Sequence, residues 1–90
     1  MFTIQELSFF KSSYFSNFSY KNGIIEVQSN NTGHWWQLFK RDMPQSTMVV
    51  TLHKYNKDDK YHKQCHVHTL IKAYRMIKGH DEYILAIVDD

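Results

Sequence analysis

The chain has 90 residues, of which 42% are hydrophobic and 16% aromatic, and this composition suits one small domain with an apolar core. A single cysteine excludes an internal disulfide and is typical of a reducing compartment. No apolar run approaches the roughly 20 residues that cross a bilayer, and the N-terminus lacks the pattern of a signal peptide. We therefore expect a cytoplasmic protein with one domain over residues 1–90 and no membrane contact.

The net charge of +2 is distributed unevenly along the chain. Residues 34–80 hold nine Lys and Arg against three Asp, and they also hold all six histidines. Residues 81–90 hold four acidic residues and no basic one. A basic middle with an acidic end is typical of proteins that bind a polyanion. A solvated, lysine-rich surface without a partner would explain the same distribution.

The N-terminal third of the chain predicts a helix and then a hairpin. Thr3 and Glu6 have the spacing of a capping box, and apolar residues follow at helical intervals, which predicts a helix over residues 4–14. Asn22-Gly23 lies between β-forming segments, and both residues tolerate the positive φ of a tight hairpin turn. The strand after this turn starts at Ile24.

Two further strands follow from composition. Residues 34–40 are rich in aromatic side chains and residues 48–53 in β-branched ones, and both types favour strands. The segment 42–46 between them contains the single proline and predicts a turn. Short turns join antiparallel neighbours, so we expect these strands to pair with each other and with the hairpin.

The C-terminal part predicts an amphipathic helix. Apolar residues recur at helical spacing from Val67 to Ile77, so the helix is expected to begin near residue 65 and to end at Gly79. Residues 81–88 fit a short helix or a last strand equally well. The predicted fold is thus α+β, a two-layer sandwich in the order helix, three or four antiparallel strands, helix.

The stretch HKQCHVH, residues 62–68, contains three histidines and the single cysteine. Zinc usually takes two separated pairs of such ligands, whereas neighbouring side chains on one helix cannot surround an ion. A site with His62, Cys65 and His66 would need a further ligand, such as His34 or His53. We expect no metal and no cofactor.

The predicted helix start offers a different role for the same stretch. Free backbone N–H groups at a helix N-terminus attract phosphate, and basic side chains beside them would strengthen a phosphate-binding corner. A basic stripe continues along the helix. The residues predicted to bind nucleic-acid phosphates are Lys60, Lys63, His66, His68, Lys72, Arg75 and Lys78. Exposed histidines without any role would give the same sequence.

Two tryptophans and two histidines complete the candidate site. Side chains alternate along a strand, so one of Trp35 and Trp36 is expected in the core and the other exposed or covered by another segment. An exposed tryptophan beside histidine and basic residues suits stacking on a base of RNA, whereas packing of both rings would explain the sequence equally well. His34, at a strand start beside Gly33, is a candidate acid or base for phosphodiester cleavage, and His53 is its candidate partner.

Several short stretches resemble motifs of the HicA toxins, small proteins that cleave messenger RNA. The stretches are Gly23–Val27, Gly33–Trp36, Val50–His53 and His68–Ala73, within residues 4–78. The resemblance implies a double-stranded-RNA-binding-domain fold, endoribonuclease activity with His34 as the catalytic histidine, and a HicB-like antitoxin as partner. His34 follows Gly33 directly, whereas the family has one residue between them.

The sequence therefore predicts a small RNA-binding domain that is also a candidate metal-independent endoribonuclease of a toxin–antitoxin system. The alternative is a protein-binding module, such as a phage or mobile-element inhibitor of a host protein, because exposed aromatic residues make good interface anchors. The sequence does not fix the oligomeric state.

Overall fold

The computed structural model describes residues 1–88 as two helices and five strands. In chain order they are α1 (Ile4–Phe10), β1 (Phe15–Lys21), β2 (Ile24–Ser29), β3 (Trp35–Asp42), β4 (Thr47–Lys54), β5 (His62–Val67) and α2 (Leu70–Val88). All neighbouring strands are antiparallel, and their order in the sheet is their order in the chain. The predicted α+β class is confirmed, and the sheet has five strands. Between residues 1 and 88, no helix is both long and apolar enough to cross a membrane.

Both helices contribute to one core on the same face of the sheet. Inward-facing residues of the strands and helices form it, including Ile25, Val27, Trp36, Leu38, Val49, Phe10, Leu70, Ala73 and Ile77. Strand residues that alternate with these point to the other side, where neither helix packs. We call that other side the open face.

The N-terminal predictions are confirmed in part. The capping box forms, with the Thr3 backbone N–H donating to Glu6 Oε1 at 2.9 Å and the Glu6 N–H donating to Thr3 Oγ1 at 3.1 Å. Asn22 and Gly23 have φ of 52° and 77° and form the predicted hairpin turn. The helix ends at Phe10 instead of residue 14, because the chain turns before β1 and the Tyr14 carbonyl accepts a hydrogen bond from the Asn30 N–H.

The prediction that a helix begins near residue 65 is wrong. Residues 62–67 form strand β5, in which Cys65 lies opposite Thr51 and Val67 opposite Val49. Thr69 caps the helix instead, since its side-chain oxygen accepts a hydrogen bond from the Lys72 N–H at 3.1 Å. The phosphate-binding corner predicted within HKQCHVH therefore does not form.

The prediction that this helix ends at Gly79 is also wrong. Helix α2 continues through Gly79 to Val88, so the undecided segment 81–88 is helical. Gly79 is exposed, and a glycine inside an exposed helical surface costs about 1 kcal/mol relative to alanine without breaking the helix. Of the acidic C-terminal residues, Asp89 and Asp90 lie outside the described residues.

Candidate functional site

Aromatic side chains lie partly exposed on the open face. Trp35 and Phe39 belong to β3, and Tyr61 precedes β5. Trp35 and Phe39 are four residues apart, so about 13 Å of strand separates them. Trp36, the neighbour of Trp35, is fully buried in the core. The prediction that one of the two tryptophans is core and the other has an accessible ring is confirmed.

Basic side chains lie on the same face as these rings, and one of them contacts two of the rings. Lys54 lies opposite Trp35 in the pairing of β3 and β4, and its Nζ is 5.7 Å from the Trp35 ring and 4.5 Å from the Tyr61 ring. Lys63 lies opposite Leu52, and Arg41 and Lys21 are exposed on the same face. Pairing between aromatic rings and cations favours a surface that binds anionic, π-rich ligands.

One acidic side chain, Glu26, also lies on the open face within the described strands. Its Oε2 accepts hydrogen bonds from Gln37 Nε2 at 3.1 Å and from the Tyr61 hydroxyl at 2.8 Å. Burial raises the pKa of Tyr61, and the neighbouring Glu26 carboxylate raises it further, so this hydroxyl stays protonated as a donor. The Glu26 charge is thus held beside Tyr61, and the open face is basic overall.

The residues predicted to bind nucleic acid do not share one surface. Trp35, Lys63 and His66 lie on the open face. The remaining ones lie elsewhere: Trp36 in the core, Lys60 in the loop before β5, His68 between β5 and α2, and Lys72, Arg75 and Lys78 on α2. The basic stripe of α2 is therefore on the opposite side of the domain from Trp35.

Four histidines form a second feature, on the helix side of the sheet. We call His34, His53, His62 and His80 the histidine cluster. His53 Nε2 lies 3.0 Å from His34 Nδ1, and His53 Nδ1 lies 3.3 Å from His62 Nε2. The His80 ring centroid is 4.7 Å from that of His53 and 5.6 Å from that of His34.

The loop before β3 positions His34. Gly33 has φ of 78°, which favours glycine, and its N–H closes the turn on the Ser29 carbonyl at 2.9 Å. The backbone N–H of His34 donates to Thr32 Oγ1 at 3.2 Å, and that hydroxyl donates to Asp81 Oδ1 at 2.9 Å. Because Asp81 follows His80 on α2, the same contacts bring His34 and His80 together.

Asp81 connects three parts of the chain. Its carboxylate is fully buried and accepts hydrogen bonds from Thr32 and from the Tyr14 hydroxyl. Burial of Tyr14 and the adjacent negative charge both raise the pKa of this phenol, which therefore remains a donor. The carboxylate is held by these hydroxyls, and its Oδ1 lies 4.0 Å from Nδ1 of His80.

The histidine cluster favours neutral imidazoles. Burial lowers the pKa of His53 to about 3, and repulsion from His80, His34 and His62 contributes. Burial also lowers the pKa values of His34 and His80. At pH 7 these three rings are uncharged, so each has one nitrogen with a free electron pair. Neutral imidazole is the form that accepts a proton or binds a metal ion.

Access to the cluster differs among its members. His53 is 1% exposed and His34 is 9% exposed, and the Tyr55 ring packs at 4.9–5.0 Å from both. The side chain of His80 is 17% exposed, and that of His62 is exposed at the edge strand. A large substrate would meet Tyr55, His62 and His80 before it met His53.

The sequence identified part of this cluster. It singled out His34 and His53, and the structure brings them into contact, whereas His66 faces the open side opposite Val50. Cys65 also lies outside the cluster: its backbone carbonyl accepts a hydrogen bond from the Thr51 hydroxyl at 3.0 Å, and its Sγ is 3.3 Å from the same oxygen. The sequence does not predict His80 and Asp81 at this site, because Gly79 favours a helix end before them. Their signal was present: the spacing Leu70, Ala73, Ile77, Asp81 continues the buried stripe of one helix.

No protein-family model, curated protein or solved structure gives a match to this chain. The resemblance to the HicA toxins therefore stays a prediction.

Proposed function

We propose that this domain binds single-stranded RNA on the open face of its sheet. The observation that carries the proposal is the cross-strand pair of Trp35 and Lys54, a partly exposed ring beside a cation on a face that neither helix covers. Single-stranded RNA offers unstacked bases to such rings and phosphates to such cations. Double-stranded nucleic acid buries its bases and fits a ring-lined sheet poorly.

Each part of the open face has a role in this proposal. Trp35 and Phe39 stack separate bases, since about 13 Å of strand lies between them. Lys54 beside Trp35, Lys63 opposite Leu52 and Arg41 beyond Phe39 contact phosphates along the RNA. Glu26 is held by Gln37 and Tyr61, which limits its repulsion of the RNA backbone. Binding by stacking and charge tolerates many sequences.

Replacing Lys54 and Lys63 together by alanine is expected to weaken RNA binding and to flatten its salt dependence. Each phosphate contact with a single strand contributes about 0.7 to the slope of log K against log salt, so the slope should fall by about 1.4. Fluorescence anisotropy with a labelled single-stranded oligoribonucleotide, at several salt concentrations, measures both quantities.

The matched control is the double replacement of Lys72 and Arg75, which removes the same charge from the exposed side of α2. It should leave the affinity and the salt slope close to those of the unchanged protein. A larger loss from the α2 pair than from the open-face pair would contradict the proposal and place RNA on the helix side. A DNA oligonucleotide of the same sequence tests whether the 2′-hydroxyl is recognised.

Cleavage of RNA is a separate prediction, with His34 as acid or base and His53 as its partner. Both lie on the helix side of the sheet, so cleavage requires RNA to reach that side and not only the open face. The contact between His34 and His53 supports this pairing. Burial lowers the pKa of each ring, which keeps both uncharged at pH 7 but makes them weaker bases than a free imidazole. If the protein cleaves RNA, His34→Ala should abolish cleavage while circular dichroism shows a retained fold. Cleavage that persists in this variant would remove His34 from the reaction.

One observation favours the alternative of a protein-binding module. The last turns of α2 expose apolar side chains, with Tyr83 65%, Leu85 38% and Ile87 53% exposed. Exposed apolar groups of this kind suit contact with a protein partner, either an antitoxin or a host target. The salt titration separates the two functions, because a pure protein binder has no affinity for the oligoribonucleotide at any salt concentration.

A further inference from the structure

We propose that His34, His53 and His80 bind one divalent transition-metal ion of the zinc type and leave a coordination position open. Each of the three side chains offers one ring nitrogen, and these nitrogens all lie within 4.8 Å of one another. The proposed site lies on the helix side of the sheet, away from the open face, so it does not rest on RNA binding there. It uses His34 and His53, which the cleavage prediction also uses, and nitrogens bound to a metal ion would not serve as an acid and a base.

The geometry is close to that of a tetrahedral site. Zinc–nitrogen bonds of about 2.0–2.1 Å place two neighbouring ligand nitrogens about 3.3 Å apart. His34 Nδ1 and His53 Nε2 are already 3.0 Å apart. The nitrogens that the three side chains offer lie up to 4.8 Å apart, so the one on His80 has to move closer to complete the triangle. His80 is the most exposed of the three rings, so it has the most room to turn.

One buried nitrogen of the cluster has no hydrogen-bond partner among residues 1–88, and two others share one proton. His34 Nδ1 and His53 Nε2 face each other, so one of them must carry the proton between them. The Nδ1 atom of His80 is buried and has no hydrogen-bond partner in the described part of the chain. An ion would take the place of the proton between His34 and His53, with each ring carrying its proton on the nitrogen that does not bind the ion.

His62 would hold His53 in the tautomer that binds metal. A metal-bound histidine usually donates its second N–H to a nearby acceptor, which fixes the ring and raises its basicity. With the ion on Nε2 of His53, its Nδ1–H points to His62 Nε2 at 3.3 Å. We therefore assign His62 as a positioning residue and not as a ligand.

Charge and protonation suit the three ligands. Burial lowers the pKa values of His34, His53 and His80, so binding at pH 7 does not require a proton to leave any imidazolium. The nearby Asp81 carboxylate, which accepts hydrogen bonds from Tyr14 and Thr32, offsets part of the ion's charge. Three neutral nitrogens with an open fourth position are a known arrangement for zinc.

The test uses the full chain, purified without a histidine tag and dialysed against EDTA. Isothermal titration with Zn²⁺ should show one ion bound per chain, and Co²⁺ should give the visible absorption of tetrahedral coordination. His80→Gln should weaken Zn²⁺ binding by more than about 100-fold, and His62→Gln by about 10- to 100-fold. Circular dichroism of each metal-free variant separates loss of a ligand from loss of the fold.

The control is the double variant His66→Gln and His68→Gln, which removes two exposed histidines outside the cluster. It should bind Zn²⁺ as the unchanged protein does. Absence of Zn²⁺ binding in the folded wild-type protein would overturn the proposal. Loss of Zn²⁺ binding in the His66 and His68 double variant, with binding retained in His80→Gln, would also overturn it. The ion would then be bound by exposed residues at the end of strand β5.

Discussion

Trp36→Ala is expected to lower the free energy of unfolding by about 3–5 kcal/mol. A small domain is held folded by only about 5–15 kcal/mol, so this variant should be partly unfolded at 37 °C. Trp36 is fully buried, and its Nε1–H donates to Ser29 Oγ at 3.1 Å. Its ring also packs 4.5 Å from His53 and 5.1 Å from His80, so its loss should loosen the histidine cluster.

Trp35→Ala is the matched control, since it makes the same chemical change one residue away. Trp35 is partly exposed on the open face, so its removal should cost about 1 kcal/mol of stability. Under the proposed function it should weaken RNA binding by about 1–3 kcal/mol, or roughly 5- to 150-fold in Kd. Urea denaturation and fluorescence anisotropy give the two quantities. Equal loss of stability in both variants would contradict the assignment of the two faces.

The features that the sequence predicted correctly depend on neighbours in the chain. A capping box needs residues three apart, such as Thr3 and Glu6, and a tight turn needs two residues, such as Asn22 and Gly23. The opposite orientations of Trp35 and Trp36 follow from the alternation of a single strand. None of these features requires knowledge of which segments meet in space.

Strand β5 could not be predicted in this way because it depends on a distant partner. Residues 62–67 are polar and largely exposed, and pairing with β4 is what holds them as a strand. The register of β5 against β4 shifts between Thr51 and Leu52, so the side chains of β5 do not alternate regularly between the two faces of the sheet. Val67 is the last residue of β5 and Leu70 the first of α2, but the two are three residues apart, which is also the spacing of apolar residues along one helix. The spacing alone therefore predicts a helix that starts too early.

The histidine cluster combines local and distant effects. His53 lies beside His34 because it pairs with Trp36 across β3 and β4, a register that the turn at residues 43–46 sets. His80 joins only because α2 continues past Gly79. A continued helix was compatible with the sequence, but the glycine favoured an end. Tertiary packing of Ile77 and Asp81 outweighs that local preference.

Acidification of the metal-free protein from pH 7 to pH 5 is expected to destabilise it. In the unfolded chain histidine has a pKa near 6.5, whereas in the fold the pKa of His53 is about 3 and those of His34 and His80 are also lowered. The unfolded state therefore binds more protons in this range. The stability that the neutral histidines contribute is fully present above pH 6.5, and it is lost progressively as the pH drops below that value.

The size of this effect follows from the same linkage. His53 alone should lose about 2 kcal/mol of stability between pH 7 and pH 5, since each fully titrating histidine contributes about 1.4 kcal/mol per pH unit. For a domain of this length, each kcal/mol corresponds to about 4–8 °C in Tm. Thermal denaturation in EDTA at steps of half a pH unit measures the slope of Tm against pH. Most carboxylates stay ionised between pH 7 and pH 5, so they contribute little to that slope.

Variants decide whether the histidine cluster causes the slope. His53→Gln cannot be protonated in this range, so its Tm should change less with pH than that of the unchanged protein, whatever its Tm at pH 7. His66→Gln, which alters an exposed histidine on the open face, should retain the full slope. If His53→Gln kept the full slope, protonation of His53 would not be what destabilises the fold. Because charging the buried rings would also remove the electron pairs proposed to bind Zn²⁺, metal affinity should fall over the same pH interval.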